Sequence, residues 1–467
     1  MAIKNEKTKT KWVCQNCGYE TSKYLGKCPD CGNWGTLAEE VEILSKQSSV
    51  SQRVLRDDEP SLIDEIEVYS SIRFSTGLDE FDRVLGNGLV QGSLTLLAGD
   101  PGIGKSTLLL QASCNISNKN KKVMYVTAEE SSSQVKLRAK RLNLTSDNLY
   151  VYAQNNFELI KKHITELSPD VVIIDSIQAI YSNDVASTAG SVSQIRECTN
   201  LLMDLSKSQN ITIIIIGHVT KDGNIAGPKV LEHMVDSVIY FEGDKYKSYR
   251  ILRCMKNRFG TTNEVGIFNM TEEGLQQVTN PSEMFLDREE TNTPGSVIIA
   301  TNEGTRPLLV EIQALVGSTA YPSGRRVSNG VDYNRTLQII AVLEKRLGIN
   351  LSKQDVYINV IGGMNINEPA ADLGVALAIL TCARDVVVDS DTVIVGEIGL
   401  SGEIRPVNNV EKRVIEAQKL GFKKIIIPNQ LKKEELKSFE GISVIEVKRL
   451  LDAISACVNK ITPKENF

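Results

Sequence analysis

The sequence predicts an α/β protein built on a doubly wound parallel sheet, flanked by a small N-terminal metal module and a separate C-terminal domain. Three observations carry that reading. Residues 99–106 read Gly-Asp-Pro-Gly-Ile-Gly-Lys-Ser, between the apolar run 94–98 and the helix-forming run 107–112. Short β-rich apolar runs at 123–128, 171–175, 211–217 and 238–242 alternate with helical patterns, the signature of buried parallel strands joined by crossover helices. Finally, Cys14, Cys17, Cys28 and Cys31 form two Cys-x-x-Cys-Gly knuckles at the start of the chain.

The first element, residues 1–40, is expected to be a zinc module. Each knuckle presents two thiolates, and four sulfurs close a tetrahedral Zn²⁺ sphere, which makes the metal structural. Gly18 and Gly32 relieve the turn after each knuckle. Two disulfides or a redox pair are the alternatives. A cytosolic chain disfavours the first, and no βαβ pattern surrounds the cluster to suit the second. Trp12 and Trp34 flank the knuckles and are expected to build the module's small core. Cys114, Cys198, Cys254, Cys382 and Cys457 are scattered through apolar surroundings and read as small core residues.

Beyond Trp34 the chain turns polar and serine-rich, so residues 41–60 read as a linker. The nucleotide-fold domain is expected over 61–285, a short break over 286–294, and a further domain over 295–467. A chain of 467 residues with 41% hydrophobic content accommodates these domains. No apolar run approaches the ~20 residues of a membrane span, and the polar start lacks a signal-peptide core. A cytoplasmic protein without membrane attachment is the expectation. The net charge of −5 means that a nucleic-acid partner must be held by local basic patches.

The glycine-rich segment between strand and helix is a phosphate loop, and it implies a nucleoside triphosphate. Across Gly99, Asp100, Pro101, Gly102, Ile103 and Gly104 the glycines let successive backbone N–H groups turn inward around the phosphates, and the helix that follows points its positive end at them. Lys105 supplies the point charge, Ser106 the hydroxyl for Mg²⁺, and Thr107 continues the loop into the helix. Asp175 closes a predicted strand, where its carboxylate can hold Mg²⁺ through the ion's water shell. Glu129, at the end of the 123–128 run, is the candidate base for the attacking water, with Glu130 its possible substitute; a solvated acidic loop is the other reading. His218 either senses the γ-phosphate or is a capped surface histidine, and periodicity does not separate the two.

Together these residues resemble the bacterial RadA/Sms DNA-repair ATPases. The resemblance runs from Cys14-Gln15-Asn16-Cys17-Gly18 and Cys28-Pro29-Asp30-Cys31-Gly32 through the phosphate loop to Lys256-Asn257-Arg258-Phe259-Gly260, the family's most specific signature. It implies a RecA-like P-loop ATPase core, an N-terminal zinc ribbon and a C-terminal α+β Lon-protease-like domain. It also implies ATP as substrate, a homo-oligomeric ring, taken as a hexamer, and binding of single-stranded DNA. Branch migration of recombination intermediates alongside RecA recombinase follows from the same resemblance. Lys256 and Arg258 then have three readings: cations reaching a neighbour's γ-phosphate, contacts to DNA phosphates, or a solvated basic loop.

In RecA-like proteins the loops after the Asp175 and His218 strands line the central channel. Here these are residues 183–193 and 220–230, the second carrying Lys221 and Lys229 as DNA candidates. Neither loop contains an aromatic residue, so salt-sensitive, sequence-tolerant binding is expected. In the C-terminal domain, Ala370 stands where the Lon-like serine belongs and Glu411 where its lysine belongs, so peptidase chemistry is not expected. Arg325, Arg326, Lys345 and Arg346 are candidates for an additional DNA surface or a solvated charged face. The competing functions are a DNA-independent signalling ATPase ring and an ATP-dependent protease.

Overall fold

The computed structural model describes residues 8–15, 18–43, 72–218, 230–243, 249–286 and 293–457. The chain divides into two compact units, Met1–Val278 and Thr279–Phe467.

The first unit opens with a three-stranded antiparallel sheet of β1 (Thr8–Cys14), β2 (Glu20–Thr21) and β3 (Leu37–Ile43), which carries the cysteine knuckles. Then come β4 (Arg73–Phe74), α1 (Asp79–Leu85), β5 (Leu89–Val90) and β6 (Leu94–Gly99), followed by α2 (Lys105–Ser117) and β7 (Val123–Thr127). The winding continues through α3 (Ser132–Arg141), β8 (Leu149–Ala153), α4 (Phe157–Leu167), β9 (Val171–Asp175), α5 (Val192–Gln209) and β10 (Thr212–His218). It closes with α6 (Val230–Met234), β11 (Ser237–Glu242) and the antiparallel β12 (Tyr249–Asn257), β13 (Val265–Thr271) and β14 (Gly274–Gln277).

These strands form a nine-stranded sheet in the order β14-β13-β12-β11-β6-β10-β9-β7-β8, parallel from β11 to β8. Alternate residues of the central strands enter opposite cores. Leu97, Ile173, Ile214 and Ile216 pack with Leu108 and Leu109 of α2 on one face. Leu96, Ile174, Ile213 and Ile215 pack with Ile160 of α4 and Leu202 of α5 on the other. Burial on both faces explains why these strands read as continuous apolar runs. Strand β8 lacks such a run, because this sheet edge is half exposed, and the β12–β14 extension escaped the sequence reading altogether.

In the second unit, β15 (Ser296–Glu303), β16 (Arg306–Ser318), β17 (Arg326–Asn329), α7 (Tyr333–Leu347) and β18 (Gln354–Val360) precede α8 (Asp372–Arg384). After them come β19 (Thr392–Ile394), β20 (Glu397–Ile398), β21 (Ile404–Arg405), α9 (Val410–Lys419), β22 (Lys424–Pro428), α10 (Lys433–Leu436), β23 (Ser443–Val447) and α11 (Leu450–Cys457). The mixed sheet runs β17-β18-β16-β15-β19-β22-β23. Helix α8 lies so close to β15 that a Cβ at Gly374 would sit 2.1 Å from Ile299 Cγ2. Ser282, within the stretch that the sequence reading gave to the core, bonds Glu416 and the Leu309 N–H of this unit.

Arg413 of α9 is wholly buried and paired with Glu368, and its Nε donates to Asn408 O at 3.2 Å. Arg413→Ala leaves Glu368 without its cation. Its expected cost is about 3–5 kcal/mol of the second unit's stability, measurable as a lowered urea midpoint.

Candidate active site and metal centre

The phosphate loop leaves the carboxyl end of β6 and enters α2 through Gly104, at φ 114°. No side chain caps α2 and its first turn holds no acid, which suits an anion at its N-terminus. Glycine is required at Gly99 by close approach to a backbone carbonyl and at Gly104 by its positive φ. A Cβ at Gly99 would lie 2.4 Å from Phe241 O, and one at Gly104 2.6 Å from Met270 Cε. Lys105 is buried and folds back over the loop, its Nζ donating to Gly99 O at 2.7 Å and Asp100 O at 2.8 Å. Burial lowers its pKa to about 8, against the opposing pull of Asp175, Asp100 and Glu129.

The adjoining strands bring the acids to the same edge. Asp175 ends β9 and accepts a 2.6 Å hydrogen bond from Tyr125 OH of β7. Burial, then that carboxylate, pushes the Tyr125 hydroxyl well above its ordinary pKa. Glu129 follows β7; Ser176 donates its hydroxyl to Glu129 Oε1, and His218 Nε2 stands 3.6 Å from the same oxygen. The histidine, and then the serine's hydrogen bond against the cost of burial, pulls Glu129 down to about 2. His218 ends β10 in register with Gly99, so imidazole, carboxylate and phosphate loop share one sheet edge. Glu130 pairs instead with Arg138 of α3, which leaves Glu129 as the acid facing His218 and Ser176.

Sequence reasoning missed Arg250. This buried side chain of β12 donates from Nε to Ile103 O of the phosphate loop at 3.3 Å and from Nη1 to Tyr249 O at 2.8 Å. Nothing in the strand's residue pattern marks it, because the hairpin that delivers it is a tertiary feature.

Lys256 and Arg258 lie elsewhere. Lys256 Nζ donates to Glu232 O and Val235 O, each at 2.8 Å, at the end of α6. Arg258 sits in the turn beyond β12, and its Nη1 meets Asp236 Oδ1 at 3.2 Å. Asp236 Oδ2 also accepts from Leu94 N at 3.0 Å. Leu94 begins β6, and the phosphate loop leaves its other end. Across six residues that separation is roughly 17 Å, so the pair is remote from its own subunit's phosphate loop.

In the ribbon, Cys14, Cys28 and Cys31 bring their sulfurs within 4.8 Å of one another. Cys14 Sγ and Cys31 Sγ are 3.7 Å apart, close to the spacing of two thiolates held at ~2.3 Å on a tetrahedral ion. Cys17 lies outside the described residues. The donor set fits Zn²⁺, and Cys28→Ser is expected to remove bound zinc and unfold the ribbon, checked by metal analysis and limited proteolysis. The expected core is only half as drawn: Trp12 packs against the cysteine cluster, whereas Trp34 is 75% exposed.

Of the DNA candidates, Lys221 and Lys229 lie outside the described residues. The 183–193 loop is anchored by Gln194, whose Nε2 donates to Ser182, Val185 and Ser187 carbonyls at 2.8–3.0 Å. Arg326 is consumed by backbone carbonyls, Leu351 O at 2.7 Å among them, so its guanidinium serves the fold. Arg325 is exposed and stacks 3.9 Å over the Tyr321 ring. Arg346 Nε donates to Leu400 O at 3.3 Å.

Sheet order and phosphate loop define a RecA-like P-loop ATPase with a metal-binding ribbon and a Lon-protease-like domain. Family models match accordingly: a rubredoxin metal-binding domain over residues 12–39, an AAA domain over 69–224, and the ChlI subunit of Mg-chelatase over 333–431. The DNA repair protein RadA of Listeria monocytogenes is 52% identical over 90% of this chain and 92% of its own. That of Bacillus subtilis is 49% identical over 96% and 98%, and that of Synechocystis 47% identical over 97% and 95%. The chain belongs to the RadA family of DNA repair proteins. A KaiC-like protein of Pyrococcus horikoshii aligns with 44% of this chain and 99% of its own at 17% identity and a TM-score of 0.38. Among the described residues, no helix is long and apolar enough to cross a membrane.

Proposed function

We propose that this chain is a DNA-stimulated ATP hydrolase that drives branch migration of recombination intermediates. One observation supports this above the others: Lys105, Glu129 and Asp175 gather at one edge of the sheet, while Lys256 and Arg258 occupy the opposite edge. A site split in this way is completed by the next subunit of a ring. Glu129, ionised and held by Ser176 and His218, orients and deprotonates the attacking water. Ser106 and Asp175 would hold Mg²⁺, which neutralises phosphate charge when bound. Lys105 takes the β- and γ-phosphates, and a neighbour's Arg258, with Lys256 beside it, meets charge developing on the γ-phosphate. The proposed partners are single-stranded and branched DNA, RecA recombinase and further copies of this chain in a hexameric ring in the cytoplasm.

The C-terminal domain has no peptidase role in this reading. Ala370 is buried in the apolar cluster with Val410 and Val414, and Glu411 is exposed on α9. Ala370 offers no nucleophile, and the carboxylate of Glu411 is not the amine that a serine–lysine pair uses as its base.

The test is steady-state ATP hydrolysis with and without single-stranded DNA at low and moderate salt, with Lys105→Ala as control. Stimulation that requires Lys105 and weakens with salt supports the motor. A rate indifferent to DNA sinks it in favour of the signalling ring.

The pKa of Glu129 carries a stability prediction. Its folded value of about 2 lies below the ordinary value, about 4.3 in an unfolded chain, so the ionised form is favoured by folding. That stabilisation is complete above the unfolded value and is lost as pH falls toward about 2. Glu129→Gln is expected to flatten the fall in urea midpoint between about pH 5 and about pH 3.

A further inference from the structure

The zinc ribbon carries an exposed aromatic surface that neither its metal nor its core explains. Residues 22–27, Ser-Lys-Tyr-Leu-Gly-Lys, are all exposed. Tyr24 is 54% and Leu25 39% accessible, and Trp34 stands beside them at 75%. Backbone pairing brings Trp34 to the end of this segment. Lys27 and Trp34 form an isolated antiparallel bridge, Gly35 N donates to Gly26 O at 2.8 Å, and a Cβ on Gly26 would meet the indole at 3.7 Å. Tyr24 is steadied edge-on against Trp12, ring centroids 4.9 Å apart, so its ring is held without being covered. Two cations frame the rings: Lys23 precedes Tyr24, and Lys27 Nζ lies 5.8 Å from the centre of the Trp34 ring.

We propose that this face binds single-stranded DNA, bases stacking on Trp34 and Tyr24 while Lys23 and Lys27 meet the flanking phosphates. Exposed aromatic faces alternating with cations are what sequence-tolerant single-strand binding uses. An exposed tryptophan also suits a protein partner, but the lysines on either side of Tyr24 and Leu25 complement a phosphate backbone. The two loops assigned to the ring's channel, 183–193 and 220–230, contain no aromatic residue, so the ribbon supplies the stacking that they lack. This inference rests on the proposed DNA-coupled activity and adds a second contact to it.

Trp12 and Trp34 are the only tryptophans, so Trp12→Phe leaves Trp34 as the sole indole reporter. Saturable quenching of its emission by oligo(dT), and none by an abasic oligomer of equal length, is the expected result. In the full-length zinc-loaded protein, Trp34→Ala with Tyr24→Ala is expected to lower affinity for oligo(dT) by about tenfold at unchanged zinc content. Wild-type protein that binds DNA while the double variant binds it equally overturns the ribbon proposal alone and assigns the face to a protein partner. Wild-type protein that neither binds oligo(dT) nor responds to it in ATP turnover overturns the DNA-coupled reading itself. If Trp12→Phe loses its zinc, the comparison of the double variant with wild type decides the question.

Discussion

Glu129→Gln is expected to lower ATP turnover by about 10²–10⁴-fold with little change in nucleotide affinity. Gln keeps the shape of the side chain and can still accept from Ser176, but it has no charge with which to take a proton. The phosphate loop, Lys105 and the N-terminus of α2, which hold the nucleotide, are untouched. Fluorescent ADP binding together with single-turnover hydrolysis separates the two quantities. Lys105→Ala removes the buried cation of the loop, so affinity falls along with turnover. A Glu129→Gln protein that retains most of its turnover would move the catalytic role away from this acid. Glu130 is poorly placed to inherit it while its carboxylate is paired with Arg138.

The second large effect concerns Arg258. Arg258→Ala is expected to lower turnover by about 10³-fold or more, the range for an arginine supplied in trans. The structure makes a sharper test available. Arg258 is 55% exposed at its side chain and bound to Asp236, which is buried and also holds Lys207 Nζ at 2.8 Å and the Leu94 N–H. Arg258 can therefore leave for a neighbour without stranding the Asp236 charge. Because Arg258 and its own phosphate loop lie at opposite ends of β6, Arg258→Ala and Glu129→Gln damage different halves of a composite site. Mixing the two inactive proteins pairs an intact Glu129 with an intact Arg258 at some interfaces, and partial recovery of hydrolysis is expected. No recovery, with both variants assembling normally, would exclude action in trans.

Much of the site is legible in the sequence. The phosphate loop is local: eight consecutive residues between a strand and a helix carry the groups that contact the phosphates, so a motif suffices to find it. The zinc knuckles are equally local, and the apolar runs marked the central strands to within a residue or two, since burial on both faces leaves polar residues no place there. Other features had no local signature. Strand β8 is half exposed, β12–β14 are antiparallel additions, and periodicity does not report which strands adjoin. The expectation for Trp34 failed for a related reason. Among the described residues the ribbon's core is made by Cys14, Cys28 and Leu37 with Trp12 and Cys31 against it, and spacing around the knuckles does not report which of two flanking indoles turns inward.

The chain's own residues determined the presence of a phosphate loop, a thiolate cluster and a doubly covered sheet, because each depends on spacing within a few residues or on a strand's own hydrophobic pattern. Tertiary structure alone decided that Glu129 rather than Glu130 faces Ser176 and His218, that Arg250 braces the loop, and that Lys256 and Arg258 stand at the edge of the sheet away from it. Those outcomes depend on the order in which crossovers lay the strands side by side, and strands of the same apolar pattern are compatible with many orders. Contacts between residues more than a hundred positions apart, such as Leu94 with Asp236 or Ile103 with Arg250, select the one observed.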